Sequence, residues 1–244
     1  MAIEFGSRKE TFENFKVYET MLAGRPFKVE MGKMCGLSNA SALIRYGETC
    51  VMCNVVMSPK PREGVDFFPL NVEYEEKLYA AGRIPGSFMR REGRPGERAI
   101  LTSRVVDRPM RPLFPKEMRN DVCITMTVMS LDPDCSPEIA GMIGASLVTA
   151  VSDIPWNGPI GGVQVGLVDG EIVLNPTKEQ RERSDLALTL AARDRLQQLG
   201  CVSGSTIAYV NHFSHNGGKI YDELLPLAAA EGFQVSYDGL CLTL

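Results

Sequence analysis

An arginine-rich segment in the middle of the chain is the first feature whose residue types could do chemistry. It runs from Arg83 to Arg111, RIPGSFMRREGRPGERAILTSRVVDRPMR, and contains eight arginines and no lysine against three acidic residues. Its local net charge of +5 contrasts with −4 for the whole 244-residue chain. Because a planar guanidinium can fork onto phosphate oxygens and stack on a base, the segment predicts contact with phosphate or a polynucleotide. The alternative is a solvated helix face whose arginines form ion pairs within the chain.

A histidine pair towards the C-terminal end is the second such feature. His212 and His215 are the only two histidines of the chain and stand in NHFSHNGG, a spacing that suggests a metal site. A catalytic zinc needs about three protein ligands and a water molecule, so the pair is not sufficient. Other side chains of this region that could complete the set are Asp222, Asp238, Cys201 and Cys241. We therefore treat His212 and His215 as an incomplete candidate site for zinc.

Cysteine usage and hydropathy predict the compartment. The seven cysteines are an odd number scattered through apolar surroundings, as in proteins of a reducing compartment. Cys50 and Cys53 form a Cys-x-x-Cys pair, but no second such pair exists and TCVMCNVVM has the pattern of a buried strand. No apolar run is long enough to span a bilayer, and MAIEFGSRKE lacks the apolar stretch of a signal peptide. We expect a cytoplasmic protein with no membrane segment.

The elements that position the arginines are expected to be a loop and a helix. Six glycines and prolines exclude regular structure from residue 82 to residue 96. ERAILTSRVVDRPM then has helical spacing, and the helix should end at Pro109. Five arginines of the loop and helix would lie near one another on a similar side: Arg90, Arg91, Arg104, Arg108 and Arg111.

The remaining pattern predicts an α+β architecture. FKVEMGKMCGLSNASALIRYGETCVMCNVVMSP is typical of hairpin strands with turns at Gly36 and Gly47, and DFFPLNVEYEEKLYAAGRI of a strand that runs into a loop. A strand, DVCITMTVMSLD, and a helix with small residues for close packing, SPEIAGMIGASLVTAVSD, follow the arginine-rich segment. GPIGGVQVGLVDGEIVLNPT predicts a hairpin with Asp169 and Gly170 in its two-residue turn.

Two runs within this α+β portion resemble a known family. FFPLNVEYEEKLYAAGRIPGSFMRREGRPGERAILTSRVVDRPMRPLFP and DIPWNGPIGGVQVGLVDGEIVLNPT are similar to the first ribonuclease PH-type core of polynucleotide phosphorylases, over about residues 10 to 189. That family consists of phosphorolytic 3′ exoribonucleases and RNA-polymerising nucleotidyltransferases, which use inorganic phosphate. The resemblance implies a ribonuclease PH-like (ribosomal protein S5 domain 2-like) fold and a homotrimer with a central channel.

The resemblance also implies a role in RNA binding for the arginine-rich segment. In the family, the loop after GRIPGSF carries two aromatic residues and two arginines that grip single-stranded RNA at the mouth of the channel. The corresponding residues here are Phe88, Met89, Arg90 and Arg91. Methionine replaces the second aromatic residue, so we expect one stacking surface to be weaker. Further phosphate contacts are expected from Arg94, Arg104, Arg108 and Arg111.

The same resemblance implies that this chain alone has no phosphorolytic activity. In the family the first core is catalytically silent, and the acidic residues that support metal-assisted attack by phosphate lie in a second core. RSDLALTLA aligns with the strand that carries catalytic acids and a lysine in the active copy, yet Ala187 and Thr189 stand at the acid and lysine positions. We therefore expect no catalytic residues here, and magnesium only in the complete family enzyme.

The last part of the chain resembles a different family. After about Leu190 the expected ribonuclease PH continuation is absent, and residues 191–244 resemble the C-terminal end of metallo-β-lactamase-fold hydrolases. The chain would then consist of a truncated core at residues 1–190 and a βαβ-like segment at residues 191–244, with a strand from Thr206 to Val210 followed by an exposed ligand loop. This segment leaves two alternatives to RNA binding open: a metal-dependent hydrolase, or an artificial fusion with no function as a unit.

Overall fold

A six-stranded sheet forms the first part of the molecule. The computed structural model describes residues 14–86, 88 and 90–184 in full, and the backbone of strands at 187–192, 209–213 and 234–235. The strands of the first sheet are β1 (Lys16–Leu22), β2 (Arg25–Met31), β3 (Ala40–Tyr46), β4 (Thr49–Pro61), β5 (Leu70–Glu76) and β6 (Asn120–Ser130). They lie in the order β1-β2-β3-β4-β6-β5. Neighbouring strands are antiparallel except for β5 and β6, which are parallel because a long crossover joins them.

Helices α1 (Glu97–Met110) and α2 (Pro137–Val151) pack on one face of this sheet and enclose the core. Alternation of buried and more exposed side chains along the strands determines which face of the sheet the helices cover. In β6, for example, Val122, Ile124, Met126 and Val128 are buried while their neighbours are not. Small residues bring α2 close to the sheet, because a Cβ atom at Gly144 would collide with the side chains of Cys53 and Ile44.

The strand predicted around the Cys-x-x-Cys pair is confirmed. Cys50 and Cys53 both lie in β4 and are buried free thiols. Burial raises the pKa of the Cys53 thiol far above its ordinary value. A thiol in this environment stays protonated and packs as a small apolar side chain.

The strands that follow α2 in the sequence form a second, five-stranded sheet. Its strands are β7 (Gly161–Val168), β8 (Glu171–Leu174), β9 (Ala187–Ala192), β10 (Tyr209–Phe213) and β11 (Gln234–Val235), in the order β11-β10-β9-β7-β8. The predicted Asp169-Gly170 turn joins β7 and β8, with φ of 52° and 84° at its two residues. Positive φ at both positions matches the twist of a two-residue hairpin, so this prediction is confirmed.

The sequence predicted the fold class but not every boundary. The α+β prediction is confirmed, whereas β1 and helix α3 (Lys178–Arg183) were not predicted. Helix α1 extends one residue past Pro109. No helix within the described part of the chain is long and apolar enough to cross a membrane.

The predicted strand and ligand loop in the tail need correction. In the described residues the strand covers Tyr209–Phe213 and thus continues past the predicted end at Val210, so His212 lies in β10 and not in a loop. Pairing with β9 explains the difference, since Asn211 lies opposite Thr189 and Phe213 opposite Leu188, with a register shift between them. Strand β9 spans the predicted domain boundary at residue 190. The helical part of the predicted βαβ-like segment falls outside the described residues.

Candidate nucleic-acid interface

The loop that enters α1 presents an aromatic ring and arginines to solvent. After β5, a short 3₁₀ helix (Leu78–Ala81) ends at Gly82, whose φ is 66°. The described residues between Gly82 and Gly96, the N-cap residue of α1, have no regular structure. Phe88 is fully exposed in this loop, and the backbone of Arg90 has a φ of 50°, a conformation uncommon for a residue with a side chain. Met89 lies outside the described residues.

Several arginines of this loop and of α1 are exposed, and three of them keep their donors available for a ligand. Arg90, Arg91 and Arg94 are exposed on the loop, and Arg104 and Arg108 are exposed on α1. The guanidinium groups of Arg90, Arg94 and Arg104 make no hydrogen bond or salt bridge with the part of the chain that the structure describes. Each of them therefore offers its full fork of N–H donors to a phosphate group.

Arg98 and Arg111 differ from these arginines, because their guanidinium groups are bound by partners within the fold. The Arg111 guanidinium pairs with Asp107 at 2.7 Å and donates hydrogen bonds of 3.1 Å to the carbonyl oxygens of Phe68 and Leu70. Arg98 pairs with Glu138 at the start of α2. Arg111 thus ties the end of α1 to the start of β5, which the sequence prediction did not anticipate when it placed Arg111 beside Arg104 and Arg108.

A cavity of about 770 Å³ opens beside the base of the loop. Its basic side chains are Arg83, Arg98, Lys178 and Arg181, and its carboxylates are Glu76, Asp132 and Glu138. Sequence reasoning missed Lys178 and Arg181 because it did not predict α3. The signal was present in Thr177-x-x-Gln180, a capping box in which each side chain bonds the backbone of the other residue.

Two of the cavity carboxylates are held in their charged form. The backbone N–H of Asp134 lowers the pKa of Asp132. Burial opposes ionisation of Glu138, but the ion pair with Arg98 and the Ser136 hydroxyl outweigh it and lower the pKa of this carboxyl group. Neither group is therefore suited to donate a proton at neutral pH.

The described residues do not fit the magnesium site expected of the complete family enzyme. Among them, no three His, Cys, Asp or Glu side chains lie close enough together to hold a metal ion. Ala187 and Thr189 of β9 carry neither a carboxylate nor an amino group. We derive no step through magnesium for this chain.

The side chains of the predicted zinc site lie outside the described residues. The backbone of His212 is placed in β10, but its side chain and the whole of His215 are not described. The predicted incomplete zinc site therefore stays a prediction.

Family models match most of the chain. The model of the 3′ exoribonuclease family, domain 1, matches residues 23–155, and that of the 3′ exoribonuclease family, domain 2, matches residues 158–212. The second match extends past the predicted boundary at residue 190 and includes His212.

Several similar proteins are polyribonucleotide nucleotidyltransferases. That of Ruminiclostridium cellulolyticum is 61% identical over 177 residues, which are 72% of this chain and 25% of the relative. That of Clostridioides difficile is 55% identical over 176 residues, again 72% and 25%. The chain thus spans about a quarter of the length of these relatives.

A solved structure shares the fold. The crystal structure of rice (Oryza sativa) Rrp46 matches with a TM-score of 0.58 at 16% identity, over 85% of this chain and 90% of the rice chain. At this identity the likeness concerns the fold alone, and it agrees with the predicted ribonuclease PH-like architecture.

Proposed function

The chain belongs to the 3′ exoribonuclease family, and from this premise we propose that it is an RNA-binding core that grips single-stranded RNA through the loop at residues 82–96. The observation that carries the proposal is Phe88, whose ring is fully exposed. Arg90 and Arg94 lie in the same loop with guanidinium groups that have no partner in the described part of the chain. An exposed ring among cations offers a base a stacking surface and its phosphates charge-assisted donors.

The proposed contact combines two physical terms. Stacking of a base on an aromatic ring contributes about 1 to 3 kcal/mol and depends little on the base. Each arginine that neutralises a phosphate releases a bound counterion, so its contribution falls as the salt concentration rises. We therefore expect binding that tolerates changes of RNA sequence and is sensitive to salt. Met89 is expected to stack more weakly than an aromatic residue at that position.

The proposed RNA path continues from the loop towards the cavity. Arg83 belongs to both, since it follows the 3₁₀ helix and lines the cavity. Lys178 and Arg181 of α3 line the same cavity and extend the basic surface beyond the arginine-rich segment. Arg111 is left out of this proposed contact set, because its guanidinium already bonds Asp107 and the carbonyl groups at the start of β5.

Phosphorolysis is not part of the proposed activity of this chain. The relatives named polyribonucleotide nucleotidyltransferase are about three times as long as this chain, and only 25% of their length is matched here. Ala187 and Thr189 supply neither a carboxylate nor an ammonium group to β9. We propose that inorganic phosphate, magnesium and assembly as a homotrimer belong to the complete enzyme, and that this core contributes RNA binding without catalytic residues.

The hydrolase and fusion alternatives rest on the sequence of residues 191–244 alone. The domain 2 match reaches residue 212, and β10 pairs with β9 of the preceding segment. Both observations favour a family fold that continues past residue 190. We therefore propose RNA binding rather than metal-dependent hydrolysis.

A titration of labelled single-stranded RNA, followed by fluorescence anisotropy over a salt series, tests the proposed function. We expect saturable binding whose logarithmic association constant falls linearly with the logarithm of salt concentration. A duplex of the same length serves as the comparison, since paired bases cannot stack on Phe88. Failure of the folded chain to bind single-stranded RNA at low salt, or equal binding of the duplex, would overturn the proposal.

A further inference from the structure

The loop that carries Phe88 and Arg90 is tied to the residues just before it by a carboxylate. One oxygen of Glu92 accepts a hydrogen bond from the backbone N–H of Leu78 at 2.8 Å, across 14 residues of sequence. The other oxygen lies 3.2 Å from the ammonium group of Lys77. Lys77 also pairs with Glu75 at the end of β5. We call these four residues, Glu75, Lys77, Leu78 and Glu92, the loop clamp.

The clamp supplies a helix cap that the local sequence lacks. Lys77 occupies the N-cap position of the 3₁₀ helix Leu78–Ala81 but makes no capping hydrogen bond with its side chain. The Leu78 N–H would otherwise be one of the unpaired donors at a helix start. A carboxylate is a suitable acceptor there, because it is negatively charged and the N-terminal end of a helix is partly positive.

We propose that Glu92 is a positioning residue, which holds the loop so that Phe88 and its flanking arginines face single-stranded RNA; this inference rests on the proposed function. Glu92 directly follows Arg91 in sequence. Its bond to Leu78 therefore fixes the loop at the residue just after the arginine pair. The rest of the loop is rich in glycine and proline, and an unanchored loop of that kind would lose entropy on binding RNA.

Electrostatics argue against a direct role of Glu92 in RNA contact. A carboxylate beside Arg91 lowers the positive potential that attracts phosphate, so charge alone would favour its removal. The Leu78 N–H lowers the pKa of Glu92, with Lys77 acting in the same direction, and the carboxylate is thus charged at neutral pH. Its contacts with Leu78 and Lys77 explain how a negative charge within this loop can still assist binding.

A pair of matched substitutions separates positioning from charge. Glu92→Ala and Glu97→Ala each remove one negative charge from the arginine-rich segment, but Glu97 lies in the first turn of α1 and takes no part in the clamp. We expect Glu92→Ala to weaken RNA binding about fivefold, the size of one lost capping interaction, and Glu97→Ala to leave binding unchanged or slightly tighter. Glu92→Gln keeps a carbonyl acceptor for the Leu78 N–H, so its affinity should fall between wild type and Glu92→Ala.

Amide hydrogen exchange at Leu78 provides a measurement that does not depend on RNA. Exchange there should be faster in Glu92→Ala than in wild type, with unchanged protection in β6 and an unchanged melting temperature. If RNA binds and Glu92→Ala binds it as tightly as Glu97→Ala does, the positioning role is wrong while the proposed function stands. If wild type does not bind RNA, the proposed function fails, and equal Leu78 exchange in both proteins would show that the clamp itself does not form.

Discussion

Removal of the arginine pair at the loop tip is the most direct perturbation of the proposed interface. Arg90→Ala with Arg91→Ala removes two positive charges from an exposed loop. None of the described residues of this loop belongs to the hydrophobic core. For single strands, each neutralised phosphate contributes about 0.7 to the slope of log K against log salt. Loss of two contacts should therefore flatten the slope by about 1.4. If affinities at 1 M salt coincide, the same slope difference makes binding about 25-fold weaker at 0.1 M salt.

The assay is an anisotropy titration of a labelled RNA oligomer at several salt concentrations, with wild type and variants measured side by side. Arg45→Ala with Arg62→Ala is the matched control, because it removes the same charge from two exposed arginines that pair with Glu30 and Asp121 and belong neither to the loop nor to α3. At 0.15 M salt the screening length is about 8 Å, so distant charges should change binding little. Equal slopes in wild type and the loop variant, or an equal loss of affinity in the control, would refute the assignment of Arg90 and Arg91 to the interface.

Three other predictions concern stacking, catalysis and packing. Phe88→Ala should weaken single-stranded RNA binding about fivefold or more with an unchanged salt slope, because a stacking surface but no charge is lost; a changed slope in the same titration would contradict this. The purified chain given RNA, inorganic phosphate and magnesium should release no nucleoside diphosphates, and release that follows this chain through purification would place an active site in it. Gly144→Ala should lower the free energy of unfolding by about 1 to 3 kcal/mol in urea, because the new Cβ collides with Cys53 and Ile44, whereas Gly36→Ala, in open space, should have little effect.

Local patterns in the sequence predicted most elements of the first sheet and both core helices. Alternation in β6 and the Asp169-Gly170 turn are properties of a few adjacent residues, and such signals survive in a single sequence. The parallel pairing of β5 with β6 joins segments separated by the whole crossover. Its register depends on contacts that neighbouring residues do not encode, so the strand order β4-β6-β5 could not be predicted.

The sequence predicted which residue types form the candidate site, but not which partners their side chains contact in the fold. The arginine-rich segment was identified from its charge, and the structure places Phe88, Arg90, Arg91 and Arg94 on one exposed loop. The use of Arg111 as a fold contact depends on carbonyl groups in a strand more than 40 residues away. The sequence likewise showed Glu92 only as a negative charge. Its hydrogen bond to Leu78 joins residues 14 positions apart, and no repeating pattern in the sequence indicates such a contact.

The division of the arginines explains how a basic surface can lie on a chain with a net charge of −4. Asp107 and Glu138 are engaged by Arg111 and Arg98 at the two ends of α1, and Glu92 is engaged by Lys77 and Leu78. Acidic groups near the interface are thereby held in contacts with the fold, while Arg90, Arg94 and Arg104 keep their donors directed to solvent. The count of charges along the segment does not show which of them can meet a phosphate group, because a paired charge contributes little beyond a screening length. It is the partners of each charge, rather than their sum, that make this loop a candidate surface for RNA.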